Sequence, residues 1–147
     1  MPLRVLACLC VAAVLGCSAD NVNSPLEFFP GSEVTSWADC GKFGNGGNQV
    51  QVCAAFVNQP GTNTPVRYSI SFFLPGPLDV LIAVYDSHGA LVRVLLNDSE
   101  PATIGAFRTP PVDWDLTDAQ GNRVKGGDFR VYLRAGDFLS SSDVSVP

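Results

Sequence analysis

Apolar and polar residues alternate through residues 65–74. Val66, Tyr68, Ile70, Phe72 and Leu74 share one side, Arg67, Ser69 and Ser71 take the other, and Phe73 breaks the pattern. A period of two marks a half-buried strand. Pro75-Gly76-Pro77 ends it, because proline donates nothing to a sheet ladder. A second run comes at 80–85, where Val80, Ile82 and Val84 lie on one face and Leu81, Ala83 and Tyr85 on the other. Apolar residues on both sides predict a strand at least partly covered on both faces. Leu91-Val92-Arg93-Val94-Leu95 returns after a turn at Asp86-Ser87-His88-Gly89, and the same D-x-x-G pattern recurs at Asp118-Ala119-Gln120-Gly121. Aspartate at the first turn position accepts local N–H bonds, and glycine at the fourth tolerates positive φ. Phe129, Val131 and Leu133 form the inward face of a further strand, with Arg130, Tyr132 and Arg134 outside.

The remaining stretches carry weaker patterns. Residues 49–57 have strand character, with Val50 and Val52 on one face. Gly41, Gly44, Gly46 and Gly47 with Asn45 and Asn48 predict a loop ahead of it. Residues 97–104 read as a polar loop, and Pro110-Pro111 restricts the segment holding Val112 and Trp114 to an edge strand or bulge. Trp114 supplies a large area to bury and is expected to plug the core. Short strands separated by turn residues predict an all-β fold, an antiparallel β-sandwich. The expected division is 65–139 for the sandwich, 31–64 for a cysteine-containing strand and loop region packed on or joined to it, and 140–147 for a frayed tail.

The first residues obey a different logic. Arg4 precedes an apolar stretch at 5–15. Eleven residues of helix rise about 16 Å, short of the roughly 30 Å hydrocarbon core of a bilayer. Residues 1–16 therefore read as an export signal rather than a span. The junction Val14-Leu15-Gly16-Cys17 resembles the bacterial lipoprotein box, with Val14 where the family usually carries leucine. The resemblance implies cleavage after Gly16 and diacylglycerol on the Cys17 sulfur, with subsequent acylation of the new amino terminus. Several acyl chains at about 0.8 kcal/mol per buried methylene make such an anchor effectively permanent. Ordinary secretory cleavage after Ala19 is the alternative. Ser18 after the cysteine points, by analogy with diderm sorting, to the outer rather than the inner membrane. Residues 17–30 read as a tether. Within it, Phe28-Phe29-Pro30 is either a strand end packing on the core or an element that docks on the domain or on a partner.

Charge and cysteines narrow the picture. A net charge of −5 argues against nucleic acid and against electrostatic binding to an anionic membrane surface. Of five cysteines, Cys8, Cys10 and Cys17 belong to the N-terminal run, which leaves Cys40 and Cys53 for the folded part. In an exported domain this pair predicts one disulfide, with a metal or redox pair as the alternative.

Candidate chemistry is sparse. Asp113, Asp115 and Asp118 suggest calcium, because hard cations take clustered carboxylates, but turn and cap roles explain the same acids. His88, the one histidine, falls at a turn tip with no nucleophile or second ligand placed beside it. Asp98 and Glu100 are a carboxylate pair in the expected loop, and Ser140-Ser141-Ser142 lies in the expected tail. Trp37, Tyr85 and Tyr132 would make a carbohydrate platform if they shared an exposed face. No cofactor motif is present, and an enzyme is not expected.

The sandwich segment resembles a known module. Asn63-Thr64-Pro65 leads to Ile70, Phe72 and Leu74-Pro75, then to Ile82-Ala83-Val84-Tyr85-Asp86, Gly89, Leu91-Val92-Arg93 and Leu95. Trp114-Asp115, Asp118, Gly121, Val124, Gly127, Phe129 and Leu133 continue the series. Together they resemble the immunoglobulin-like domain of flagellar hook-capping proteins. Leu116 stands where that family commonly has glycine, and Phe129 where tyrosine is usual. The resemblance implies an immunoglobulin-like sandwich of about seven strands and a scaffolding or assembly role. The expected function is thus a lipid-anchored envelope protein acting as a structural or protein-interaction module. The alternative is a ligand-binding module for carbohydrate or calcium.

Overall fold

The computed structural model describes residues 36–45 and 48–147. Eight strands come after a short 3₁₀ turn, η1 (Trp37–Asp39): β1 (Gly41–Asn45), β2 (Asn48–Asn58), β3 (Pro65–Phe73), β4 (Leu78–Asp86), β5 (Leu91–Glu100), β6 (Val112–Trp114), β7 (Gly127–Ala135) and β8 (Phe138–Val146). They form two antiparallel four-stranded sheets, β1-β2-β3-β6 and β5-β4-β7-β8. The chain changes sheets after β3, after β5 and after β6, which is the Greek-key wiring of an immunoglobulin-like sandwich with β1 added at one edge.

The expected alternation builds the core. Tyr68, Ile70, Phe72 and Leu74 point inward from the first sheet, while Val66 at the start of β3 stays exposed. Val80, Ile82 and Val84 of β4 meet them with Val131 and Leu133 of β7. Trp114 is fully buried against Phe129, their rings edge to face at 5.2 Å, and its indole N–H donates to the Thr117 carbonyl at 2.9 Å. Leu116 is buried at φ 59, in the left-handed region that glycine favours. Burial of its side chain, worth about 1.5–3 kcal/mol, offsets a backbone cost of similar size.

Three expectations are corrected. The glycine-bearing stretch at 41–45 is strand β1, paired with β2 from Gly41↔Val52 to Asn45↔Asn48. Gly44, at φ 115, lies so close to the Asn48 carbonyl that a Cβ would come within 2.6 Å of it, so glycine is what lets this hairpin close. Residues 97–100 continue β5 instead of opening a loop, because Leu78, Asp79, Val80 and Leu81 of β4 supply ladder partners for all four. Residues 140–146 are no frayed tail. They complete β8, paired along β7 from Ala135↔Phe138 to Gly127↔Val146. Val144 and Val146 are buried, and so are the inward hydroxyls of Ser140 and Ser142.

Those serines hold Trp37. Its indole N–H donates to Ser140 Oγ at 3.0 Å and its backbone N–H to Ser142 Oγ at 3.4 Å. Trp37 thereby closes one long side of the sandwich. At the other, Arg93 reaches from β5 to Asp115 at 2.8 Å and also bonds the Thr117 hydroxyl.

Candidate interaction surfaces

The cysteine pair forms as expected. Cys40 and Cys53 are joined by a disulfide that ties the end of η1 to β2. Cys17, the expected lipidation site, lies outside the described residues, as do the signal at 1–16, the tether at 17–30 and its Phe28-Phe29-Pro30. Among the described residues, no helix is long and apolar enough to cross a membrane.

The three aspartates do not converge on one point. Asp113 pairs with Arg67 at 3.2 Å across the first sheet. Asp115 accepts from the Thr117 hydroxyl at 2.5 Å and sits beside the Arg93 guanidinium, and these contacts hold its carboxyl below the ordinary range. Asp118 accepts from the backbone N–H groups of Gln120 and Asn122, each at 2.9 Å, and its carboxyl is lowered by those bonds, that of Asn122 foremost. No group of three His, Cys, Asp or Glu side chains is arranged to hold a metal among the described residues. Turn chemistry accounts for Asp86 equally: its Oδ1 accepts from His88 and Ala90 N–H at 2.9 Å, which leaves His88 exposed at the tip.

The aromatic platform is overturned. Trp37, Tyr85 and Tyr132 are all buried. Trp37 belongs to the core between the sheets, whereas Tyr85 and Tyr132 pack edge to face at 5.5 Å on the opposite side of the β4–β7 pair. Asp98 and Glu100 take different partners on strand β5. Asp98 bonds its neighbour's backbone N–H in the open, and Glu100 takes the Arg108 guanidinium at 2.8 Å in a partly shielded pair.

Two of the open depressions among the described residues lie at chain turns and connections. One, of about 400 Å³, lies at the β4–β5 turn and is lined by Asp86, Ser87, Asp128, Phe129, Arg130, Asp143 and Ser145. Its acids are already engaged. Asp143 takes a two-point bond from Arg130 at 2.6 and 3.0 Å, which raises the guanidinium pKa above its ordinary value, and Asp128 accepts from the Ser145 hydroxyl at 2.6 Å.

The second depression, of about 300 Å³, is formed by the β5–β6 connection around Pro101, Thr103, Ile104, Ala106, Phe107 and Arg108. This connection is fastened along β3. Arg108 N–H donates to the Phe72 carbonyl at 2.7 Å, Thr103 N–H to the Leu74 carbonyl at 3.2 Å, and Leu74 N–H returns a bond to Thr103 Oγ1 at 2.5 Å. The Arg108 side chain locks the far end through Glu100 and the Pro110 carbonyl, with Phe72 beneath it at 5.7 Å. A fastened loop therefore holds Ile104 in water at 91% exposure. The sequence signalled only a polar loop here, since an isolated isoleucine between Thr103 and Gly105 has no periodicity to mark it. No protein-family model matches the chain, and a search of curated proteins returned no match.

Proposed function

We propose that this protein is a lipid-anchored component of a bacterial envelope whose sandwich serves as a structural or protein-interaction module. The observation that carries the anchor is the Val14-Leu15-Gly16-Cys17 junction directly after a short apolar run. The disulfide between Cys40 and Cys53 fits an oxidising compartment outside the cytoplasm. The interaction role is supported by the 101–111 connection. A fastened backbone that presents an apolar side chain to water binds with little ordering cost, since the loop is fixed before a partner arrives.

Two substitutions test the parts separately. Cys17→Ser moves the protein from the membrane fraction to the soluble fraction and abolishes labelling with a radioactive fatty acid; unchanged membrane association contradicts the anchor. Ile104→Asp leaves fractionation and thermal stability as they are. It removes the proteins that co-purify with the wild-type chain from detergent-solubilised membranes, and retention of the same set contradicts the loop assignment.

A further inference from the structure

The centre of the outer face of the β5-β4-β7-β8 sheet is shielded from water, while Asp79, Asp128, Leu139, Asp143 and Ser145 at its margins are exposed; among the described residues the apolar side chains clustered at that centre are the sheet's own Ala83, Tyr85, Tyr132 and Val94. Val80, Ile82 and Val84 point into the core, so Leu81, Ala83 and Tyr85 of β4 point away from it. The register sets Val94, Ala83, Tyr132 and Ser141 side by side in one row across all four strands. Tyr132 and Ala83 have 0% exposure, Leu81 1%, Ser141 2% and Tyr85 3%. Neighbours on the same face shield each other's flanks, not the surface that faces outward. The opposite sheet shows what an uncovered face looks like here: Cys53, Ser69 and Ser71 are only half-buried there and Ala55 is exposed.

We propose that the chain's own arm, Pro25-Leu26-Glu27-Phe28-Phe29-Pro30, docks on this outer face and forms a third layer over Leu81, Ala83, Tyr85 and Tyr132. Where the described chain starts makes this geometrically direct. Trp37 is fixed at β8, the edge strand of the same sheet, by its bonds to Ser140 and Ser142. Six extended residues reach about 20 Å, and four strands at about 4.8 Å spacing span roughly 14 Å, so residues 25–30 reach the whole face from β8 to β5. The chemistry matches as well. Leu26, Phe28 and Phe29 supply apolar surface for Leu81, Ala83 and the two tyrosines, and Glu27 meets a face that carries Arg134 beside the Arg130–Asp143 pair. Pro25 and Pro30 lack backbone donors, which suits a segment lying across a sheet rather than joining its ladder. A docked arm shortens the tether and fixes how the domain sits relative to residue 17. The docking does not depend on acylation of Cys17, so its test and the test of the anchor fail independently.

The experiment uses the full chain with a photoreactive phenylalanine analogue at position 28. Irradiation is expected to join it to residues 79–86 or 128–135 of the same molecule, with an unchanged yield on dilution. Attachment elsewhere on the chain, or only to another molecule, overturns the proposal. In parallel, tetranitromethane nitration of Tyr132, slow in the wild type, is expected to rise several-fold in Phe28→Asp/Phe29→Asp while fluorescence of the buried tryptophans stays native. Protection that persists in that variant, or that depends on protein concentration as in a face shared between two copies, contradicts the arm as occupant.

Discussion

The two sheets differ most on the sides that face away from each other. On the β1-β2-β3-β6 sheet the outward rows are Gln51 with Phe73, Cys53 with Ser71, Ala55 with Ser69 and Asp113, and Val57 with Arg67. These side chains are mostly small or polar and stay partly open to water, leaving a shallow trough beside Ala38, Cys53, Ala55, Ser69 and Ser71. At the centre of the outward side of the β5-β4-β7-β8 sheet, Leu81, Ala83, Tyr85 and Tyr132 are closed to water, while Leu139 and Asp143 on the edge strand β8 are exposed. Their ion pairs differ at the arginine end: the Arg67 side chain on the first sheet keeps 47% exposure and the Arg130 side chain on the second 15%, while both carboxylates stay open to water. Antiparallel sandwiches usually leave both outer faces wet, and continuous apolar strands belong to sheets buried on both sides. This molecule places one sheet of each kind back to back. The first sheet offers a surface to solvent; the centre of the second is closed to it.

The largest effect that sharpens this contrast comes from paired truncations of outward side chains. Tyr132→Ala should cost about 3 kcal/mol, as for an aromatic removed from a packed interior, whereas Ser71→Ala on the first sheet should stay within about 0.5 kcal/mol. Urea denaturation of both variants measures this, and equal small losses would erase the difference between the faces. The next effect belongs to the first sheet, whose outer face stays partly open to water and which carries the cross-link. Replacing Cys40 and Cys53 with alanine opens a bridge between residues 13 apart in sequence. The chain-entropy account gives about 3 kcal/mol for a loop of this size, read as a lower denaturation midpoint that added reductant no longer shifts. The smallest effect sits where the chain crosses between sheets. The carboxyls of Asp115 and Asp118 are held below their ordinary 3.8 in the folded state. Their contribution is present above that value and fades as the pH falls below it, because the unfolded chain takes up protons first. Thermal melts between pH 6 and about pH 2 should show a melting temperature that declines at the acid end, with a shallower decline in Asp115→Asn.

Most of the sandwich was legible because its strands alternate. Residues 65–74 announced β3, and the two-faced apolar run at 80–85 announced a strand at least partly covered on both sides, in line with the burial of Leu81, Ala83 and Tyr85. Strand β8 was hidden for a chemical reason: its inward positions at 140 and 142 are serines, which in sequence look like solvated tail. They are buried because Trp37 uses both hydroxyls, and Tyr68 bonds Ser142 while burial pushes its own phenol above the ordinary value. No local pattern announces a partnership between residues 103 and 105 positions apart. Strand β1 was hidden by Gly41 and Gly44, read as loop formers, although Gly44 serves the close backbone approach inside a hairpin. Tyr132, expected outside with Arg130 and Arg134, does leave the central core, but only to enter the second buried cluster with Ala83 and Tyr85. Among the candidate site residues, the Cys40–Cys53 bridge came from counting cysteines, while Ile104 depended on how Arg108 and Thr103 fasten a loop.

The contrast between the faces is tested most directly by hydroxyl-radical footprinting of the full, oxidised chain, comparing reactive side chains that point outward from the two sheets. The account predicts that Phe73 and Val57 are oxidised readily while Leu81, Tyr85 and Tyr132 are protected to the level of the core residues Phe72 and Leu133. Oxidation of Leu81 and Tyr132 at the rate of Phe73 would contradict it.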